Sequence, residues 1–148
     1  MGKIARVRTG IALLICLPLI VACATRWPLA PGMGAHRFGE SFTTAAEKPE
    51  IVEEKIFVSY QEVSEDSRCP KNVACIWQGA AIVKMIAMVE GDQPNPFAFQ
   101  LASAPEAARS ALYKGYRIEL IDVAPYPDGQ QKPAPDEYRV TLRVTRAH

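Results

Sequence analysis

The sequence predicts an all-β domain, an antiparallel β-sandwich carrying one short helix. Apolar and polar residues alternate with a period of two over most of the chain beyond residue 37. Clusters of Pro, Gly, Asp and Asn separate these runs at short intervals. Six or seven such runs in about 110 residues give a sandwich immunoglobulin-like in size, with a small β-barrel as the alternative. The 148 residues, 49% hydrophobic and 22% charged, suit a single such domain. A net charge of +1 argues against a chain built to grip nucleic acid or an anionic membrane face.

Each element has its own pattern. Phe38 to Thr43 and Ile51 to Val52 are short strand candidates. Ile56, Val58 and Tyr60 alternate around Ser59 and Gln61, as a half-buried strand requires. Ala80 to Val89 is apolar on both parities apart from Lys84, which predicts a central strand covered on both faces. A turn over Gly91 to Pro96 leads to another candidate strand, Phe97 to Leu101. Ser103-x-x-Glu106 fits a capping box, Pro105 is tolerated in a first helical turn, and Gly115 can end the segment, so a helix is expected there. Tyr116, Ile118 and Leu120 share one parity, while Ile121 and Val123 continue on the other. That phase change predicts a β-bulge. Pro125 to Pro135, with four prolines and an Asp128-Gly129 pair, is a loop. Tyr138, Val140, Leu142 and Val144 then alternate with Arg139, Thr141, Arg143 and Thr145 as the last strand. No internal repeat is visible.

Upstream of the domain the chain reads as an address. Lys3, Arg6 and Arg8 precede an uncharged apolar run, Ile11 to Ala22. At about 1.5 Å per residue its twelve residues span about 18 Å, short of the roughly 30 Å hydrocarbon core. Pro18 would also bend such a helix. Basic residues followed by a short apolar stretch make a secretory signal peptide.

The run ends Ile20-Val21-Ala22-Cys23, which resembles the lipobox of bacterial lipoproteins. The lipid-transfer reaction needs a thiol nucleophile, and the signal peptidase needs a small residue before the cut; Cys23 and Ala22 meet the two demands. Cys16 does not qualify, because Ile15 is too large for the cleavage position. The resemblance implies cleavage before Cys23, a diacylglycerol thioether on its sulfur and an N-terminal acyl group such as palmitate. Two or more acyl chains anchor a protein stably, where one holds it only marginally. Ala24, rather than Asp, after the cysteine implies outer-membrane sorting, facing the periplasm, if the cell is Gram-negative. The expected organisation is therefore residues 1–22 as cleaved signal peptide, 23–37 as lipidated N-terminus and flexible tether, and 38–148 as the β-sandwich. The tether is rich in Pro and Gly, and its Trp27 either rests at the lipid interface or packs on the domain. Loss of Lys3, Arg6 and Arg8 from the 17 basic residues leaves 14 against 16 acidic ones, a net charge of −2.

With Cys23 lipidated and Cys16 removed, Cys69 and Cys75 are left of the four cysteines. In an exported protein such a closely spaced pair most simply forms a disulfide. Closing a ring of about seven residues contributes at most about 2.4 kcal/mol, enough to fix a loop between two strands but not to hold a domain together. Five intervening residues do not match the Cys-x-x-Cys spacing of thioredoxin-like redox sites.

Asp66-Ser67-Arg68-Cys69-Pro70, followed by Val73, Cys75, Trp77 and Gly79, resembles a motif of small bacterial secreted and lipoprotein β-domains. That resemblance implies an extracytoplasmic β-rich domain and brings no activity with it. Physically, Asp66 can accept backbone N–H bonds, and Pro70 restricts the bend after Cys69. Arg68 can pair with Asp66 or stack on Trp77. Trp77 either packs over the bridge or exposes a flat apolar face, and Gly79 permits a close approach. Asp66, Arg68, Pro70, Trp77 and Gly79 form the candidate binding loop, or else a structural staple.

Catalytic residues, metal ligands and cofactors are not expected. Ser67 lacks a base, since the histidines are His36, beside the tether, and His148, the last residue. The neighbouring acids Glu53-Glu54 and Glu65-Asp66 would point to opposite faces of a strand. Met85 and Met88 are likewise of opposite parity, which disfavours a copper site. Arg139, Arg143 and Arg146 fit a solvated face better than an anion site. The expected function is a lipid-anchored, non-catalytic binding or envelope-interaction module. Its partners are the membrane through Cys23 and an envelope protein or small-molecule ligand. A small periplasmic hydrolase or metal-dependent enzyme is the alternative.

Overall fold

The computed structural model describes residues 32–91, 96–129 and 131–147. Nine strands follow in chain order among them: β1 (Gly34–His36), β2 (Ser41–Thr44), β3 (Pro49–Val52), β4 (Ile56–Asp66), β5 (Ala81–Val89), β6 (Phe97–Ala102), β7 (Ser110–Tyr113), β8 (Tyr116–Ala124) and β9 (Arg139–Arg146). They form two sheets, a five-stranded one in the order β1-β3-β4-β5-β6 and a four-stranded one in the order β2-β9-β8-β7. Two stacked open sheets make a β-sandwich, and the barrel alternative is excluded because neither sheet closes. All neighbours are antiparallel except β1 and β3, which run parallel.

Period-two patterning builds the core. Val52, Ile56, Val58, Tyr60, Val83, Met85 and Leu101 project from the first sheet onto Phe42, Ile118, Leu120, Val140, Leu142 and Val144 of the second. The phase change in β8 is a bulge, with the register slipping between Leu120 and Asp122. The extra residue lets Val123 rejoin the core on the opposite parity. Arg109 supports the irregularity from β7's side: Nε donates to the Leu120 carbonyl (3.3 Å) and Nη2 to that of Ile121 (2.7 Å).

Three expectations are corrected. The helix after Ser103 is a single 3-10 turn, Glu106–Ala108. Ser103 does not cap it; its backbone N–H and its hydroxyl bond the carbonyl and N–H of Ala81, continuing the β5–β6 ladder. A segment this short is marginal as a helix without a buried stripe. The chain past the turn instead pairs as β7 with β8 through a Lys114-Gly115 hairpin whose two residues both have positive φ. Secondly, β5 is central but not covered on both faces: Ile82, Ile86 and Met88 on its outer side are only half-buried, and Lys84 is exposed beside Glu62 at 2.6 Å. Thirdly, Gly34–His36, at the end of the segment read as tether, are a strand paired with Glu50–Val52.

Candidate functional site

The residues following β4 and preceding β5 form a loop at one end of the sandwich. Its base prolongs the β4–β5 hairpin: the Ser67 N–H donates to the Ala80 carbonyl (2.9 Å) and the Cys69 N–H to that of Gln78 (3.0 Å). Gly79 is essential to this narrow base. It has φ +63°, and a Cβ there would run into the Ser67 carbonyl oxygen. Cys69 and Cys75 are disulfide-bonded, with Cα atoms 5.9 Å apart. Asn72, between them, takes the left-handed conformation that asparagine tolerates.

Beneath the loop lies a buried ionic cluster that joins the two sheets. Asp66, the last residue of β4, and Arg68 are each only 5% exposed. Asp66 Oδ1 accepts from the Arg68 backbone N–H (3.1 Å) and from Nε (2.9 Å). Oδ2 accepts from Arg68 Nη2 (2.6 Å) and from the Tyr138 hydroxyl (3.0 Å), which comes from just before β9. Arg68 Nη1 donates to the Val123 carbonyl of β8, and Nη2 to that of Pro125 (2.9 Å). Its guanidinium lies 4.3 Å from the Tyr126 ring centroid.

Burial alone would raise the Asp66 carboxyl. The hydrogen bonds from Arg68, its charge and the Tyr138 hydroxyl outweigh that and hold it below the ordinary carboxylate value. The Tyr138 phenol is pushed up to about 12 by burial and by its bond to the Asp66 carboxylate.

The loop above this cluster faces solvent. Val73 is 49% exposed, Ile76 94% and Trp77 83%, with Tyr126 of the adjoining segment at 43%. The loop leans on that segment through the Lys71 N–H, which donates to the Pro127 carbonyl (2.9 Å). Ring closure and these contacts fix the backbone, so the apolar side chains stand out from a braced support.

The sequence-derived loop residues therefore separate by position. Asp66 and Arg68 are interior, with Arg68 stacked on Tyr126 and not on Trp77; Pro70 and Gly79 are half-buried, and Trp77 is exposed. Cys23, Ala24, Trp27 and the leader lie outside the described residues. Ile76, the most exposed large apolar side chain among the described residues, carries no mark in the sequence that separates it from a core isoleucine. Tyr126 and Tyr138 carry no local mark of their roles, since both meet Arg68 or Asp66 across more than fifty residues of chain.

A second ionic group sits at the β1 edge. Glu50, 1% exposed, accepts from His36 Nε2 (3.1 Å) and pairs with Lys48 (3.1 Å), while the His36 ring stacks on Phe42 at 4.0 Å. Burial would raise the Glu50 carboxyl, but bonds from His36, Lys48 and Thr44 lower it overall. Elsewhere a hollow of about 420 Å³ is lined by Glu106, Arg109, Ser110, Arg117 and Glu119. Its Arg109 is engaged by carbonyls and its Arg117 by the Ser110 hydroxyl (3.1 Å). Among the described residues no three His, Cys, Asp or Glu side chains converge as metal ligands.

No protein-family model, curated protein or solved structure matches this chain.

Proposed function

We propose that the chain is a lipid-anchored cell-envelope protein, attached through Cys23, that works as a non-catalytic binding or envelope-interaction module with the disulfide loop as its contact surface. The observation that carries this reading is the display of Val73, Ile76 and Trp77 on a cross-linked loop, where burial of apolar surface on contact is the available driving force. The disulfide fits an oxidising, extracytoplasmic compartment, in keeping with the leader and the lipobox-like Ile20-Val21-Ala22-Cys23. The buried carboxylates have structural duties, Asp66 on Arg68 and Tyr138, Glu50 on His36 and Lys48.

Cys23→Ser tests the anchor. The protein is expected to move from the membrane fraction to the soluble fraction, and the N-terminal peptide of the wild type to carry the mass of a diacylglycerol thioether. Unchanged fractionation of Cys23→Ser contradicts the reading.

A further inference from the structure

We infer that the disulfide loop docks on the lipid surface that holds the Cys23 anchor, with Ile76 and Trp77 entering the bilayer interface. This rests on the anchor reading and names what the loop contacts.

Strand direction supplies the first argument. β1 runs parallel to β3, with Gly34 beside Glu50 and Glu50 opposite Val58 of β4. From there β4 continues to Asp66 at the cysteine-loop end, whereas β1 runs the other way, toward the Val52–Ile56 hairpin. β1 therefore starts on its cysteine-loop side, with its first residue, Gly34, level with Val58. Eight residues of strand from Val58 to Asp66 cover about 25 Å. The ten residues between Cys23 and Gly34 reach at most about 33–36 Å. An anchor on Cys23 thus has the reach to bring the loop end to the bilayer.

The two ends of the sandwich also differ in chemistry. At the far end the hairpin turns expose charged side chains of both signs, Glu53, Glu54, Lys55, Glu90 and Lys114. The loop from Ser67 to Ala80 contains no acid, and its exposed charge is Lys71. The adjoining turns add Tyr126, Lys132 and the acids Asp128, Asp136 and Glu137, with Glu137 bonded to the Ala134 N–H (2.7 Å). An isoleucine beside a tryptophan suits the boundary, where an indole ring favours the headgroup level and an aliphatic side chain the acyl region. Such a contact is too small to retain the protein alone, so it orients a domain that the lipid already holds.

The chain's two tryptophans are Trp27 and Trp77, so Trp27→Phe leaves Trp77 as the single reporter. The purified mature lipoprotein carrying this change is reconstituted into phosphatidylcholine vesicles with brominated acyl chains. Docking is expected to shift Trp77 emission to shorter wavelength, to quench it relative to unbrominated vesicles and to shield it from iodide. Adding Ile76→Ser, at a side chain too exposed to matter for folding, is expected to lower the docked-to-undocked ratio by about tenfold, as loss of one buried apolar side chain implies. Trp77 that is open to iodide and unquenched by bromine overturns the proposal while leaving the anchor intact. Shielding from iodide without bromine quenching overturns it in favour of a protein partner, such as a second copy of the chain. Mass spectrometry of the same preparation separates the two readings: an unmodified Cys23 removes the anchor and this inference together.

Discussion

Arg68 shows how a residue that looks solvent-directed in sequence becomes interior in the fold. An arginine two residues beyond a strand is ordinarily a surface group, yet here its side chain is 3% exposed and that of Asp66 is 2% exposed. Desolvating both charges is costly, and the fork geometry, two backbone carbonyls and the Tyr138 hydroxyl are what offset it. The asymmetry of such pairs gives a definite expectation. Arg68→Met leaves a buried carboxylate without its counter-charge, held by the backbone N–H of residue 68 and the Tyr138 hydroxyl alone, and should lower unfolding free energy by about 3–5 kcal/mol. Adding Asp66→Asn to Arg68→Met removes the stranded charge and should recover part of that loss. Urea denaturation of the two variants is the measurement. A double variant no more stable than Arg68→Met would show that the charge of Asp66 is not what makes the single change costly.

Elements obey local pattern until a distant partner intervenes. Strand parity in β5, β8 and β9 was legible because one face of each is buried, and the β8 bulge because an extra residue must invert parity. β4 departs from the half-buried strand expected of it, since Phe57 and Ser59 are buried on the face opposite Ile56, Val58 and Tyr60. Gly34–His36 was not legible, since three residues are too few to show a period and their partner β3 pairs in parallel. The supposed helix after Ser103 failed for a related reason: a local cap competed with pairing to β5 and β8, and pairing prevailed. In the candidate site, the disulfide and the need for Gly79 were readable locally, whereas the burial of Asp66 and Arg68 depended on β8 and Tyr138. The β3–β4 hairpin carries a local conflict of its own. Glu53 and Glu54 both have positive φ (51° and 52°) in a turn closed by the Lys55 N–H on the Val52 carbonyl (3.0 Å). Such a turn favours Asn-Gly, and an ordinary residue held left-handed costs about 1–2 kcal/mol. Glu53→Asn with Glu54→Gly should therefore raise stability by about 1–2 kcal/mol. An unchanged denaturation midpoint would mean that these glutamates make compensating contacts.

At the scale of the molecule, the Asp66 cluster ties the end of β4 in one sheet to β8 and the approach to β9 in the other, so its ionisation acts on the whole sandwich. The signs follow from the direction of each shift. Asp66 and Glu50 both titrate below their ordinary values of 3.8 and 4.5. What they contribute is present above those values and is lost as pH falls through the lower values of the folded state. Tyr138 has the opposite sense, since its phenol ordinarily ionises at 10.0 and in the fold at about 12. The neutral phenol's contribution is complete below 10.0 and disappears as pH rises from there to about 12, because the unfolded chain ionises first. A displacement of this size corresponds to about 2–3 kcal/mol. Tyr60, also raised by burial, adds to the same alkaline limb. Unfolding free energy should consequently form a plateau between the carboxylate and phenol ranges and fall on both sides. Tyr138→Phe should lower the plateau, because Asp66 loses a donor, and should make the alkaline fall shallower while leaving an acid fall. Urea titrations across that range at fixed ionic strength measure both limbs. Were Tyr138→Phe to retain the full alkaline slope, the Asp66–Tyr138 bond would not be what couples proton loss to the joining of the two sheets.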